Sequence, residues 1–226
     1  MEKFENKFNY LELPPEKTHQ LEKIRKDIEN MGDRLGMPID EKIKEVVIMC
    51  NATGLPTSAS CEGHIDHGIP VPWIEISAPN EPKERFIGQQ EVFEKIAKKY
   101  GITTEEIERG EITTAYWEAL KECSQNGETE EYKKWKKENK KLLNEAKLLL
   151  EKFYKNREVD PELKLEIDDG EECFRIHNGG KDYKSIGKNE FSESEREESL
   201  KRLEKYRAEM NAFAEFLKKE YFLNNK

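Results

Sequence analysis

Apolar residues along this chain recur mostly every three or four positions, the spacing that lines one face of an α-helix. Leu21, Ile24, Ile28, Met31 and Leu35 form the first such stripe, and Thr18 stands where a cap would. The spacing predicts a helix over about residues 19–34, ended by Gly36-Met37-Pro38. Asp40 is a good N-cap residue for a second helix reaching Asn51, with Ile43, Val46, Val47 and Cys50 as its apolar face. The period then changes. Thr57–Cys61 is short and rich in small residues and reads as a strand, 63–72 reads as a loop, and Trp73-Ile74-Glu75-Ile76-Ser77 alternates as a strand with Ile74 and Ile76 inward.

Helical spacing returns over 82–99, with Phe86, Val92, Phe93 and Ile96, and again over 113–124, with Tyr116, Trp117 and Leu120. Thr104–Ile107 reads as a single helical turn between them. Gln125-Asn126-Gly127 is a break, and a long helix follows over about 129–156. Leu163, Leu165 and Ile167 alternate, as do the positions from Cys173 to Ile176, with Asp168-Asp169-Gly170 between them as a hairpin turn. Ser192 and Glu195 form a capping box for a last helix over about 193–222. Two strand pairs separated by helices predict an α+β fold: a small antiparallel sheet of about four strands covered by helices. The chain reads as a single α+β domain over 1–226, with 82–157 as a helical insertion between the strand pairs.

Composition narrows the partners. Of the 226 residues, 38% are charged and 35% hydrophobic, so the core must be economical and the long helices must keep a solvated face. The net charge of −9 argues against a general nucleic-acid coat, because phosphate affinity comes from excess Lys and Arg. An RNA partner is therefore not favoured by charge. Lys133, Lys134, Lys136, Lys137, Lys140 and Lys141 surround Trp135, but Glu128, Glu130, Glu131 and Glu138 lie alongside, as on a solvated helix face. No run approaches the roughly 20 apolar residues that span a bilayer, so no membrane is expected. The start, Met1-Glu2-Lys3-Phe4-Glu5, lacks the apolar segment of a secretory signal, and the expected location is cytoplasmic. Cys50, Cys61, Cys123 and Cys173 are widely spaced and are expected to be free thiols. The long charged helices offer surfaces for a protein partner or for a second copy of the chain.

Chemistry concentrates in 56–68, Pro-Thr-Ser-Ala-Ser-Cys-Glu-Gly-His-Ile-Asp-His-Gly, which holds two of the four histidines and one of the four cysteines. In a regular strand 57, 59 and 61 would face one way and 58, 60 and 62 the other. Three readings compete. In the first, Cys61, His64 and His67 ligate a metal such as zinc, completed by Asp66, Cys173 or His177. In the second, Cys61 is a nucleophile activated by His64, with Glu62 as a further candidate catalytic residue. In the third, which asks least of the residues, Ser58, Ser60, the backbone N–H groups around Gly63 and His64 hydrogen-bond an anionic or polar ligand, a small molecule or nucleotide, with Trp73 stacking on it. Against all three stands a purely structural turn, with Cys61 as a small buried hydrophobe. His19 and His177 read as surface residues, and Trp117 and Trp135 as packing residues. Arg175 is expected to share a sheet face with Cys173 and His177, as an anion contact.

The stretch from Asp40 through Cys50-Asn51-Ala52 to Thr57-Ser58-Ala59-Ser60-Cys61-Glu62-Gly63-His64-Ile65, followed by Trp73-Ile74-Glu75-Ile76-Ser77, resembles the start of the tRNA wybutosine-synthesis methyltransferase family. It is also similar to prokaryotic and phage proteins with a Ser-Cys-x-Gly-His motif. The resemblance covers about residues 40–78. Where the methyltransferases carry Ser and Arg, this chain has Glu62 and His64. The resemblance implies a related α+β fold, a site at the same turn, S-adenosylmethionine as cofactor and a nucleotide or RNA as the modified partner. The alternative is a non-enzymatic binding module, with or without a metal at the turn, whose long charged helices contact a protein partner.

Overall fold

The computed structural model describes residues 14–32, 36–66, 68–170, 172–184 and 192–223. The chain divides into two compact units, Met1–Ser77 with Leu142–Lys226, and Ala78–Lys141. In chain order the elements are α1 (Pro15–Glu29), α2 (Lys44–Ala52), β1 (Thr57–Cys61), β2 (Trp73–Ile76), α3 (Gln89–Tyr100), α4 (Thr104–Glu108), α5 (Thr113–Ser124) and α6 (Glu130–Tyr154). There follow a 3-10 turn (Pro161–Leu163), β3 (Leu165–Asp169), β4 (Phe174–Asn178), α7 (Lys181–Lys184) and α8 (Glu193–Leu223). No helix among the described residues is long and apolar enough to cross a membrane.

The α+β expectation holds. The sheet is four-stranded and antiparallel throughout, in the order β1-β2-β4-β3. Ile74 pairs with Ile176, which pairs with Ile167, and Ile76 pairs with Phe174. Paired side chains lie on the same face, so this row forms the apolar side of the sheet. It packs into the core with Val46, Val47 and Met49 of α2, Ala146 and Phe153 of α6, and Met210, Phe213 and Leu217 of α8. Five consecutive residues of α2, Val46 to Cys50, are buried, so this short helix is enclosed on every side. The opposite face of the sheet carries Trp73, Glu75, Arg175 and His177. The second unit has its own small core, in which Val92, Phe93 and Ile96 of α3 meet Ile107, Ala115 and Ala119.

Several expectations are corrected. Helix α1 begins at Pro15, which needs no N–H in the first turn, and Thr18 lies inside it with its hydroxyl donating to the Pro14 carbonyl. Met31 is exposed rather than on the buried stripe, and Leu35 lies outside the described residues. Asp40 does not cap α2, which starts at Lys44; its carboxylate is engaged elsewhere. Helix α3 starts at Gln89 because Gly88 turns the chain through a left-handed conformation, leaving Phe86 outside the helix. Trp117 is exposed, whereas Trp135 is buried and donates its indole N–H to the Ala78 carbonyl. His177 is buried and stacks on Tyr183. The capping box at Ser192 and Glu195 is present.

Candidate functional site

Strand β1 is an edge strand, and its pairing with β2 slips between Thr57 and Ala59. The bulge breaks the regular alternation. Thr57 pairs with the core-facing Ile76, while Ala59 and Cys61 pair with Glu75 and Trp73 of the opposite face. Ser58, the extra residue, donates its hydroxyl to the Glu75 carboxylate at 3.1 Å.

The chain then bends sharply at Cys61-Glu62-Gly63-His64. Gly63 has φ +81°, and its N–H points back at Cys61 Sγ, 3.3 Å away. The bend is clasped from α8. Arg207 donates to the carbonyls of Glu62 and Gly63 and to Glu62 Oε1, each at 2.8 Å. Glu62 Oε2 accepts the Lys42 N–H at 3.0 Å. Both Glu62 oxygens thus hold the fold together. Beyond the bend, His64 N donates to the Ile69 carbonyl, and Arg196 holds the Asp66 carboxylate.

The bend delivers three donor groups to one place. Asp40 Oδ2 accepts the Glu62 N–H at 3.1 Å and lies 3.3 Å from His64 Nε2. Single ligand atoms of Asp40, Cys61 and His64 all lie within 4.8 Å of one another, and the three residues are half-buried. Asp40 also borders a cleft of about 350 Å³ that runs along the β1 edge. Met31, Met37, Pro38 and Ile39 supply its apolar wall, and Thr57–Ser60 its polar one.

Ser58 and Ser60 line the cleft, and Gly63 makes the bend. Trp73 does not border the cleft; the Arg175 guanidinium sits 4.3 Å over its ring. Arg175 in turn donates to Glu75 at 3.0 Å, so the expected anion contact is satisfied within the protein. His67 lies outside the described residues. Cys173 and His177 do not join the cluster of Asp40, Cys61 and His64, and the His177 ring is bonded to the Asn178 carbonyl.

All four cysteines are free, Cys50 and Cys123 being buried. Burial pushes the Cys61 thiol above its ordinary pKa, opposed by the Gly63 N–H and reinforced by the Asp40 and Glu62 carboxylates. The resting group at neutral pH is therefore a thiol, not a ready thiolate. Alkylation by iodoacetamide, followed by peptide mass spectrometry, is expected to show Cys61 half-reactive at a pH above the value of about 8.5 for free cysteine. Fast modification of Cys61 below pH 7 would contradict this.

Sequence reasoning misses Asp40 and Arg207 as site residues. Asp40 has the signature of a helix cap, and nothing local distinguishes the two roles. Arg207 does leave a signal. It stands four residues after Leu203 and three before Met210, on the apolar stripe of α8, and a charge there needs a buried partner. Compared with protein-family models, with curated proteins and with solved structures, the chain has no match in any of the three.

Proposed function

We propose that the cleft along β1 binds a small ligand of the nucleoside or nucleotide class and that the bend acts on it, as in an enzyme related to the wybutosine-synthesis methyltransferases. One observation carries this reading. The stretch that bears the resemblance, from Asp40 through Thr57–His64, is the same stretch that builds the polar wall of the cleft and the adjoining donor cluster. A volume of about 350 Å³, lined by apolar side chains and a few polar ones, suits a compact organic ligand. Ser58, Ser60 and the edge of β1 offer hydrogen bonds, and Asp40 offers a carboxylate to a cationic group.

S-adenosylmethionine has the matching chemistry: a flat base for the apolar wall and positive sulfonium and ammonium groups for Asp40. Ser58, Ser60 and Asp40 would hold that cofactor, which would supply a methyl group to a nucleophilic atom of the nucleotide, and His64 would take the acceptor's proton. The net charge of −9 favours a free nucleotide or a short single-stranded segment over a large RNA surface.

Calorimetric titration of the full chain with S-adenosylmethionine tests the reading. Saturable one-to-one binding is expected, weakened about tenfold or more by Asp40→Asn, in line with roughly 1.5–3 kcal/mol for a hydrogen bond to a charged group. Absence of heat at millimolar ligand would remove this cofactor from the account.

A further inference from the structure

We infer that Asp40, Cys61 and His64 form a mononuclear transition-metal site of the zinc type, with its fourth position left to water or to a bound molecule. The inference goes beyond the ligand proposed for the cleft and does not depend on it; an ion held by Asp40 and His64 would replace the cation contact and the proton transfer proposed for those two side chains.

One thiol, one imidazole and one carboxylate are the groups that zinc accepts, and three protein ligands with an open position are the pattern of a reactive zinc centre rather than a closed structural one. The distances also fit. A tetrahedral ion with zinc–nitrogen and zinc–oxygen bonds of about 2.0–2.1 Å separates those two ligand atoms by about 3.3–3.4 Å. Asp40 Oδ2 and His64 Nε2 stand 3.3 Å apart. With a zinc–sulfur bond of about 2.3 Å, the sulfur should lie about 3.6 Å from each of the others. Cys61 Sγ is within 4.8 Å of both, so a side-chain movement of about 1 Å closes the site.

The groups around the three ligands support them. The Gly63 N–H aimed at Cys61 Sγ, at 3.3 Å, stabilises negative charge on sulfur. The Glu62 N–H bonded to Asp40 Oδ2 orients that carboxylate. Arg207 fixes the carbonyls of Glu62 and Gly63, between the two motif ligands Cys61 and His64. The backbone that carries the site is therefore held before any ion arrives, which lowers the ordering cost of binding.

The test uses the reduced full chain, stripped with chelator, and the metal alone. Cobalt(II) is titrated in as a spectroscopic stand-in, and zinc then displaces it. The expected result is one-to-one binding with a thiolate-to-cobalt charge-transfer band that zinc bleaches. Cys61→Ser should abolish that band while the circular dichroism spectrum stays unchanged. Asp40→Asn and His64→Ala should each weaken binding about tenfold or more, and His19→Ala, at an exposed position of α1, should leave it unchanged. If Cys61→Ser does not fold, the cobalt affinity of Asp40→Asn decides: a loss supports the site, and an unchanged affinity overturns it. A folded chain that binds no stoichiometric metal, or a thiolate band that survives Cys61→Ser, likewise overturns the inference. Because the metal titration contains no organic ligand, its failure leaves the S-adenosylmethionine titration to stand or fall by itself.

Discussion

Gly63→Ala is expected to lower stability by roughly 2–5 kcal/mol and to abolish binding at the bend. Two costs add. At φ +81° a residue with a Cβ is strained by about 1–2 kcal/mol. That Cβ would also meet Leu203 Cδ1 at 2.7 Å and the Val71 carbonyl carbon at 2.8 Å. The leucine methyl can turn aside, but the Val71 backbone cannot, and overpacking of this kind costs about 1–3 kcal/mol. Gly68 is an internal control: its φ is +77°, yet nothing lies within 4 Å of an added Cβ, so Gly68→Ala should show only the backbone strain. Urea unfolding of both variants measures the difference. Equal losses would mean that Gly63 is not tightly enclosed.

Arg207→Met is expected to cost about 3–5 kcal/mol, the range for breaking a buried ion pair by removing one partner. The Arg207 and Glu62 side chains are 10% and 17% exposed, so neither charge is rescued by solvent. Without the guanidinium, the Glu62 carboxylate loses the cation it pairs with, and the Glu62 and Gly63 carbonyls lose the donor that spans them. Arg207→Lys should recover little, because a single ammonium cannot reproduce the planar fork that reaches four acceptors, the Glu62 and Gly63 carbonyls and the Glu62 and Glu204 carboxylates. Combining Arg207→Met with Glu62→Gln should restore part of the loss, since the uncompensated charge is then gone. Denaturant unfolding of the parent chain, the two single variants and the double variant gives that coupling directly. Strict additivity of the two single losses would show that Arg207 and Glu62 do not act as one clasp.

Much of the architecture was legible from periodicity alone. The alternation in Trp73–Ile76 and in 165–169 and 174–178 located the sheet, and the spacing over 113–124 matched α5. The Ser192–Glu195 box marked the start of α8. Errors arose where one residue type serves two physical purposes. Aspartate caps helices and also holds a backbone N–H or an imidazole, and only the fold brings His64 and Glu62 to Asp40. Trp117 sits at helical spacing yet faces out, because α5 buries the small residues Ala115, Ala119 and Cys123 instead. His177 alternates correctly but is covered by Tyr183, which folds back from the segment after β4, a contact that no strand pattern encodes.

The motif itself was visible as an unusual concentration of Ser, Cys, Gly and His. Its geometry was not. The bulge at Ser58 puts Thr57 on the face opposite Ala59 and Cys61, where strict alternation would place all three together, and the clasp on Gly63 comes from Arg207, more than a hundred residues away in sequence. A bend of this kind is a long-range product of α8 and the α2 entry, so a local reading finds its residues without finding what holds them.

The central claim is that one bend brings the Cys61 sulfur, the His64 imidazole and the Asp40 carboxylate to a common point. X-ray absorption at the zinc edge of the one-to-one complex probes that point directly. The account predicts one sulfur neighbour at about 2.3 Å with nitrogen and oxygen neighbours at about 2.0–2.1 Å. A zinc shell containing only nitrogen and oxygen would place the thiol elsewhere and contradict it.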